Sequence, residues 1–148
     1  MKIIAPVLSV CLLLASNPIF AQHIEKTIVQ SFDLQGLKAV ILDIPNADVE
    51  VKTWSNSELS VQMTISVPSN LEEMQKSLIA AGRYTLKATP TANTMNLVGL
   101  NLKRNIIFRG APWKDKVKCV VFAPQRAAVQ VVDSSPPVEA AQQEVVKN

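Results

Sequence analysis

Leu59, Val61, Met63, Ile65 and Val67 occupy every second position of one segment, with Ser60, Gln62, Thr64 and Ser66 between them. Side chains alternate across a β-strand, so this spacing puts five apolar groups on one face and the polar ones on the other. The pattern is that of a half-buried strand, and the chain must supply a second layer to cover it.

Weaker copies of the pattern recur. Thr27 to Phe32 and Leu37 to Ile44 are short stretches rich in β-branched residues, separated by the turn-prone Gln35-Gly36. Pro45-Asn46-Ala47-Asp48 reads as a tight turn, because proline presets φ and Asn and Asp tolerate turn conformations. Val49, Val51 and Thr53 then alternate with Glu50 and Lys52, and Trp54 to Ser57 supplies another turn. Further strands are expected over Tyr84 to Ala88, Thr94 to Leu100, Asn105 to Arg109, Lys116 to Phe122 and Ala128 to Val132. Turns are marked by Thr89-Pro90, Gly110-Ala111-Pro112 and Ala123-Pro124.

One helix is predicted within this series, over about residues 70–81. Ser69 followed by Glu72 fits a capping box. Leu71, Met74, Leu78 and Ile79 share a helical face, while Glu72, Glu73, Gln75 and Lys76 lie off it. Gly82 is placed to end the helix in a left-handed conformation.

The first 21 residues read differently. Lys2 is followed by an uncharged run from Ile3 to Ala15, a break at Ser16-Asn17-Pro18, and the small Ala21 at the exit. These are the parts of a secretory signal peptide. The apolar run is shorter than the roughly 20 residues that a membrane-crossing helix requires. An uncleaved anchor or a buried helix is the alternative. Cleavage after Ala21 would start the mature chain at Gln22 and remove Cys11, leaving Cys119 with no internal disulfide partner. Val10 is a poor neighbour for a lipidated cysteine, so Cys11 reads as signal-peptide filling. At the other end, residues 133–148 are polar and carry two prolines, with little to bury; they are expected to be a disordered tail or linker. The resulting division is a signal peptide over 1–21, a single β-rich domain over 22–132 and a tail over 133–148. No later apolar run approaches a membrane span, so the product is expected to be exported, whether to the periplasm, the outer surface or the medium.

Short strands separated by frequent turns imply a mainly β fold, either a short β-solenoid or a sandwich-like stack, with one inserted helix. The stretch Asp43-Ile44-Pro45-Asn46-Ala47-Asp48-Val49-Glu50-Val51-Lys52-Thr53-Trp54, continued by Leu59-Ser60-Val61, resembles the putative-adhesin, head-domain-like β-solenoid proteins exported by Bacteroidota-type bacteria. Their rungs repeat a short strand, an Asn- or Gly-Asp turn and a Val-x-Val strand. The resemblance covers Phe32 to Val67 and extends more loosely over Arg83 to Val132. It implies a surface binding role and brings no catalytic residues. The scarcity of glycine, four in the whole chain, and the mid-chain helix depart from a regular solenoid.

Charge is unevenly distributed. Residues 22–82 carry a net −4 and residues 83–126 a net +8, so the second half offers a basic face to an anionic partner. The basic residues concentrate in one segment with aromatics between them: Lys103, Arg104, Arg109, Trp113, Lys114 and Lys116, with Phe108 alongside and Asp115 as the single acid. Arg and Lys supply anion contacts, and an aromatic ring can stack on a sugar. These six are the candidate ligand-binding residues, for an anionic glycan, a lipid headgroup or another envelope protein. Nucleic acid fits the same chemistry but not an exported chain. The alternative is a solvated, charged edge that keeps strands from pairing with neighbours.

Catalytic chemistry is poorly provided for. The only histidine, His23, and the retained cysteine, Cys119, lie far apart in sequence, which gives neither a metal-ligand set nor a nucleophile–base pair. Cys119 alternates in phase with Val117 and Val121 and reads as a small buried hydrophobe; the alternative is a thiol activated by Lys116 and Lys118. No P-loop, dinucleotide fingerprint or calcium loop is present, so neither cofactor nor metal is expected. The arrangement that would instead point to an enzyme is an enclosed cluster of Asp43, Asp48, Arg83 and Tyr84. The sequence thus points to a non-enzymatic exported β-domain that binds or scaffolds, with an anionic-glycan or headgroup binder acting through residues 103–118 as the alternative.

Overall fold

A computed structural model describes residues 22–132; the expected signal peptide and C-terminal tail lie outside the described residues. Ten strands and one α-helix follow in order: β1 (His23–Phe32), β2 (Ala39–Asp43), β3 (Ala47–Trp54), β4 (Leu59–Pro68), α1 (Glu72–Ala80), β5 (Lys87–Pro90), β6 (Thr94–Val98), β7 (Ile107–Phe108), β8 (Ala111–Pro112), β9 (Lys116–Pro124) and β10 (Ala128–Val132). Two four-stranded sheets, ordered β1-β4-β9-β3 and β10-β2-β6-β5, form a sandwich-like stack, and β7-β8 is a separate two-residue hairpin.

The alternating segment lies at the heart of the first sheet. Leu59, Val61, Met63, Ile65 and Val67 are all fully buried, and β4 pairs antiparallel with both β1 and β9. Register carries the apolar face sideways: Val61 stands beside Val121, Met63 beside Cys119 and Ile65 beside Val117. The second sheet answers with Val40, Leu42, Met95 and Leu97, and one continuous core joins the two. Five large aliphatic side chains removed from water on β4 alone contribute on the order of 10 kcal/mol, an upper figure for an extended reference chain.

Parallel and antiparallel pairings are mixed. β2 pairs parallel with β6 and with β10, and β3 pairs parallel with β9. Of the two architectures open to the sequence, the sandwich-like stack is the one adopted, since the antiparallel β1-β4-β9 run breaks any regular succession of rungs.

Turn chemistry accounts for the connections. Gln35 (φ 52) and Gly36 (φ 79) are both left-handed, and Leu37 N–H closes the turn on the Leu34 carbonyl at 2.8 Å. Asn46 (φ 56) turns β2 into β3. Arg109 (φ 50) and Gly110 (φ 76) form the two-residue loop between β7 and β8, the doubly left-handed geometry favoured for tight hairpins. This moves the turn expected over Gly110-Ala111-Pro112 one residue earlier, since Ala111–Pro112 form β8, and two other expected turns are also shifted. Thr89-Pro90 ends β5 instead, and the reversal falls at Thr91, whose N–H reaches the Thr94 carbonyl. Ala123-Pro124 completes β9, and Ala127 N–H closes the turn onto the Pro124 carbonyl.

The helix forms where its apolar spacing predicts, but it starts differently. Ser69–Leu71 make a 3-10 turn ahead of it, and no side chain caps the N-terminus. Ser69 N–H is used by the Gln22 carbonyl at 2.9 Å. The Glu72 carboxylate turns outward to Lys76 (3.1 Å) and Lys26 (3.6 Å). The capping box is therefore replaced by an acidic first turn, Glu72 and Glu73, which suits the positive end of the helix. At the far end Gly82 (φ 79) is left-handed, with its N–H on Ile79 O and Arg83 N–H on Leu78 O, the paired bonds of a Schellman cap. Gln75, fully buried, ties the helix to the sheet by donating from Nε2 to the Ile65 carbonyl at 2.8 Å.

Candidate functional site

The Schellman cap delivers Arg83 and Tyr84 into the space between the helix and the segment leading into β9. The Arg83 guanidinium, 9% exposed, donates through Nη1 to the carbonyls of Asn101 and Arg104, both at 3.2 Å. Its Nε lies 3.5 Å from Asp115 Oδ2 without making a hydrogen bond. The Tyr84 hydroxyl donates to that same Asp115 oxygen at 2.5 Å. Burial first, and the facing Asp115 carboxylate second, push the Tyr84 phenol above its ordinary ionisation range. Trp113 lies in the same wall, nine-tenths buried, with its ring edge-on to Phe108 at 6.4 Å. Its Nε1 comes close enough to the Tyr84 oxygen to offset that shift slightly, but it meets no acceptor in hydrogen-bond geometry.

Beside this cluster opens a cleft of about 600 Å3, walled by Arg83, Arg104, Ile106, Trp113, Lys114 and Asp115 among others. It separates the six sequence candidates. Arg104 and Lys114 are exposed and line the cleft, and among the described residues neither has an ion-pair partner. Trp113 forms part of the wall as a buried ring rather than an open platform. Lys103 points to Asp43, with Nζ 2.7 Å from Oδ2. Arg109 sits on the hairpin loop with its guanidinium 5.0 Å from the Phe108 ring centre, bordering a neighbouring cavity. Lys116 projects from β9 in register with Ser66, away from the core face. The structure thus gathers Arg104, Lys114 and Trp113 at this cleft, sets Arg109 with Lys114 and Trp113 at the neighbouring cavity, and leaves Lys103 and Lys116 apart.

Arg83, named only as part of the cluster that would point to an enzyme, is not among the six ligand-binding candidates, although it supplies a buried positive charge to the cleft. Its one visible signal is its place directly after the helix-ending Gly82. The tetrad that would point to an enzyme does not assemble: Asp43 is held by Lys103, Asp48 stands beside Lys118 on the exposed face of its sheet, and Arg83 and Tyr84 converge on Asp115. Cys119 is fully buried, and its thiol is pushed up to about 12, first by burial and then by the Asp48 charge. The hydrophobe reading of Cys119 is therefore the one the structure supports. Among the described residues no group of His, Cys, Asp and Glu is placed to hold a metal ion, and no helix is long and apolar enough to cross a membrane.

No family model matches the chain, and no curated protein does. Two solved structures are distantly similar to it. One is a putative adhesin from Parabacteroides merdae, 15% identical, aligned over 74% of this chain and 37% of its own, with a TM-score of 0.30. The other is a putative adhesin from Bacteroides fragilis, 13% identical, aligned over 73% and 41%, with a TM-score of 0.33. This chain spans about two fifths of the length of either. At these values the likeness bears on no functional residue.

Proposed function

We propose that this chain is an exported, non-enzymatic β-domain of the cell envelope that binds an anionic group of a glycan or lipid headgroup through the cleft of Arg83, Arg104 and Lys114. The observation that supports this reading is the charge balance of that cleft. Three cations line it and a single carboxylate, Asp115, opposes them, itself engaged by Arg83 and Tyr84. Arg104 and Lys114 are left to attract a ligand of opposite sign, in a concave setting where field lines concentrate. Trp113 and Ile106 supply apolar wall, the usual complement of a few polar anchors. Export is supported by the N-terminal sequence, with its short basic start, apolar run and small-residue exit.

Retention on immobilised heparin and on lipopolysaccharide vesicles tests this reading. The protein is expected to bind at low ionic strength and to elute as salt shortens the screening length to about 3 Å near 1 M. Arg104→Ala combined with Lys114→Ala should abolish retention, and Lys116→Ala, on another face, should leave it unchanged. Equal loss from Lys116→Ala, or retention that survives the double change, overturns the assignment.

A further inference from the structure

Among the described residues, β3 and β10 are edge strands with no neighbour on their outer sides. Gln30 of β1 bonds the backbone of Tyr84 and Leu86, just ahead of β5, so β1 and β5 share a side of the stack. β3 and β10 therefore form the opposite side. There Val51 and Val131 face inward, since their register partners are the fully buried Val121 and Leu42, yet they are 40% and 44% exposed. Among the described residues no further strand covers these core-facing valines.

Edges of this kind are usually guarded by brevity, proline or a run of like charges. β5 has four residues and ends in Pro90. β3 has eight residues and no proline, and its outer face carries Asp48, Glu50 and Lys52, with the change of sign falling between Glu50 and Lys52 on either side of Val51. We propose that β3 is the contact surface for a second copy of this chain, its edge pairing antiparallel with its counterpart about a two-fold axis through Val51. This register sets Glu50 opposite the partner's Lys52 and Lys52 opposite the partner's Glu50, while Val51 meets its own equivalent on the core side. A two-fold contact must be self-complementary, and a sequence centred on valine with opposite charges on either side satisfies that condition. In the isolated chain Lys52 Nζ lies 3.8 Å from Glu50 Oε1, with both side chains about half exposed, so the pair is free to exchange partners. Since β10 lies on the same side, the axis also turns Val131 toward the partner.

Sedimentation equilibrium on the chain from Gln22 to Asn148 tests this surface. Twice the monomer mass is expected. Glu50→Lys alone places two lysines opposite each other, and Lys52→Glu alone two glutamates; each should weaken association about tenfold or more. The double exchange, Glu50→Lys with Lys52→Glu, should restore it. Circular dichroism of each variant separates loss of association from loss of fold. A monomer throughout, a dimer indifferent to the single changes, or a double exchange as weak as the singles overturns the proposal. Association that appears only after residues 133–148 are removed overturns it too, by making that segment the occupant of the edge.

Discussion

The Tyr84 hydroxyl and the Asp115 carboxylate meet at 2.5 Å, joining the end of the helix to the entrance of a central strand. Tyr84 is 1% exposed, so its ring is core and its oxygen is the link. Tyr84→Phe keeps the ring and removes the bond, leaving Asp115 with Arg83 alone. A hydrogen bond to a charged group contributes roughly 1.5–3 kcal/mol, and that loss is expected in urea unfolding. Because the folded phenol is raised above its ordinary 10.0, its contribution is full below pH 10 and declines above it, where the unfolded chain ionises first. Tyr84→Phe should flatten that alkaline decline, and a decline of unchanged size would refute the assignment.

Gln75 holds the helix onto β4 from a fully buried position, with Nε2 on the Ile65 carbonyl and Oε1 unpartnered. Gln75→Ala removes the donor and opens a cavity beneath the helix. Costs of about 2–4 kcal/mol follow from the lost volume and the stranded carbonyl. Thermal unfolding should show the loss, and a change below about 0.5 kcal/mol, the range of neutral surface substitutions, would mean the contact is not structural.

Cys119, lying between Val117 and Val121 on the buried face of β9, should be inert in the folded protein. Labelling by a thiol-specific disulfide reagent at neutral pH is expected to follow global opening and to accelerate with urea; fast labelling without denaturant would contradict the burial. The thiol is raised from 9.0 to about 12, so its share of stability is intact below pH 9 and lost as pH climbs through that window. Cys119→Ala should remove that part of the alkaline loss and leave the part from Tyr84.

The alternating strands and the helix terminus could be read directly because each is written in local spacing: period two over 59–67, and a glycine where the helix must turn left-handed. The start of the helix could not. Ser69 and Glu72 have the right spacing, yet the Gln22 carbonyl takes the Ser69 N–H and two lysines take the Glu72 carboxylate. Those are tertiary competitors, invisible to a local pattern. The same limit applies to the cleft. Lys103, Arg104, Arg109, Lys114 and Lys116 look equivalent along the chain, and only long-range partners such as Asp43 divide them. Arg83 is grouped with Asp43 and Asp48 rather than with the basic segment because its acid lies 32 positions away at Asp115.

The parallel pairings set an order of events for the newborn chain. Among the described residues, β2 finds neighbours only in β6 and β10, and β3 only in β9. Nothing made before residue 116 can shield the side of β4 that β9 will occupy. As the polypeptide emerges from its N-terminus, β1 and β4 can zip together, but both sheets stay incomplete until nearly the whole described length is free. Maturation is thereby postponed to the last moment, and a chain interrupted ahead of β9 is left with an unpaired edge on β4, an invitation to proteases and chaperones.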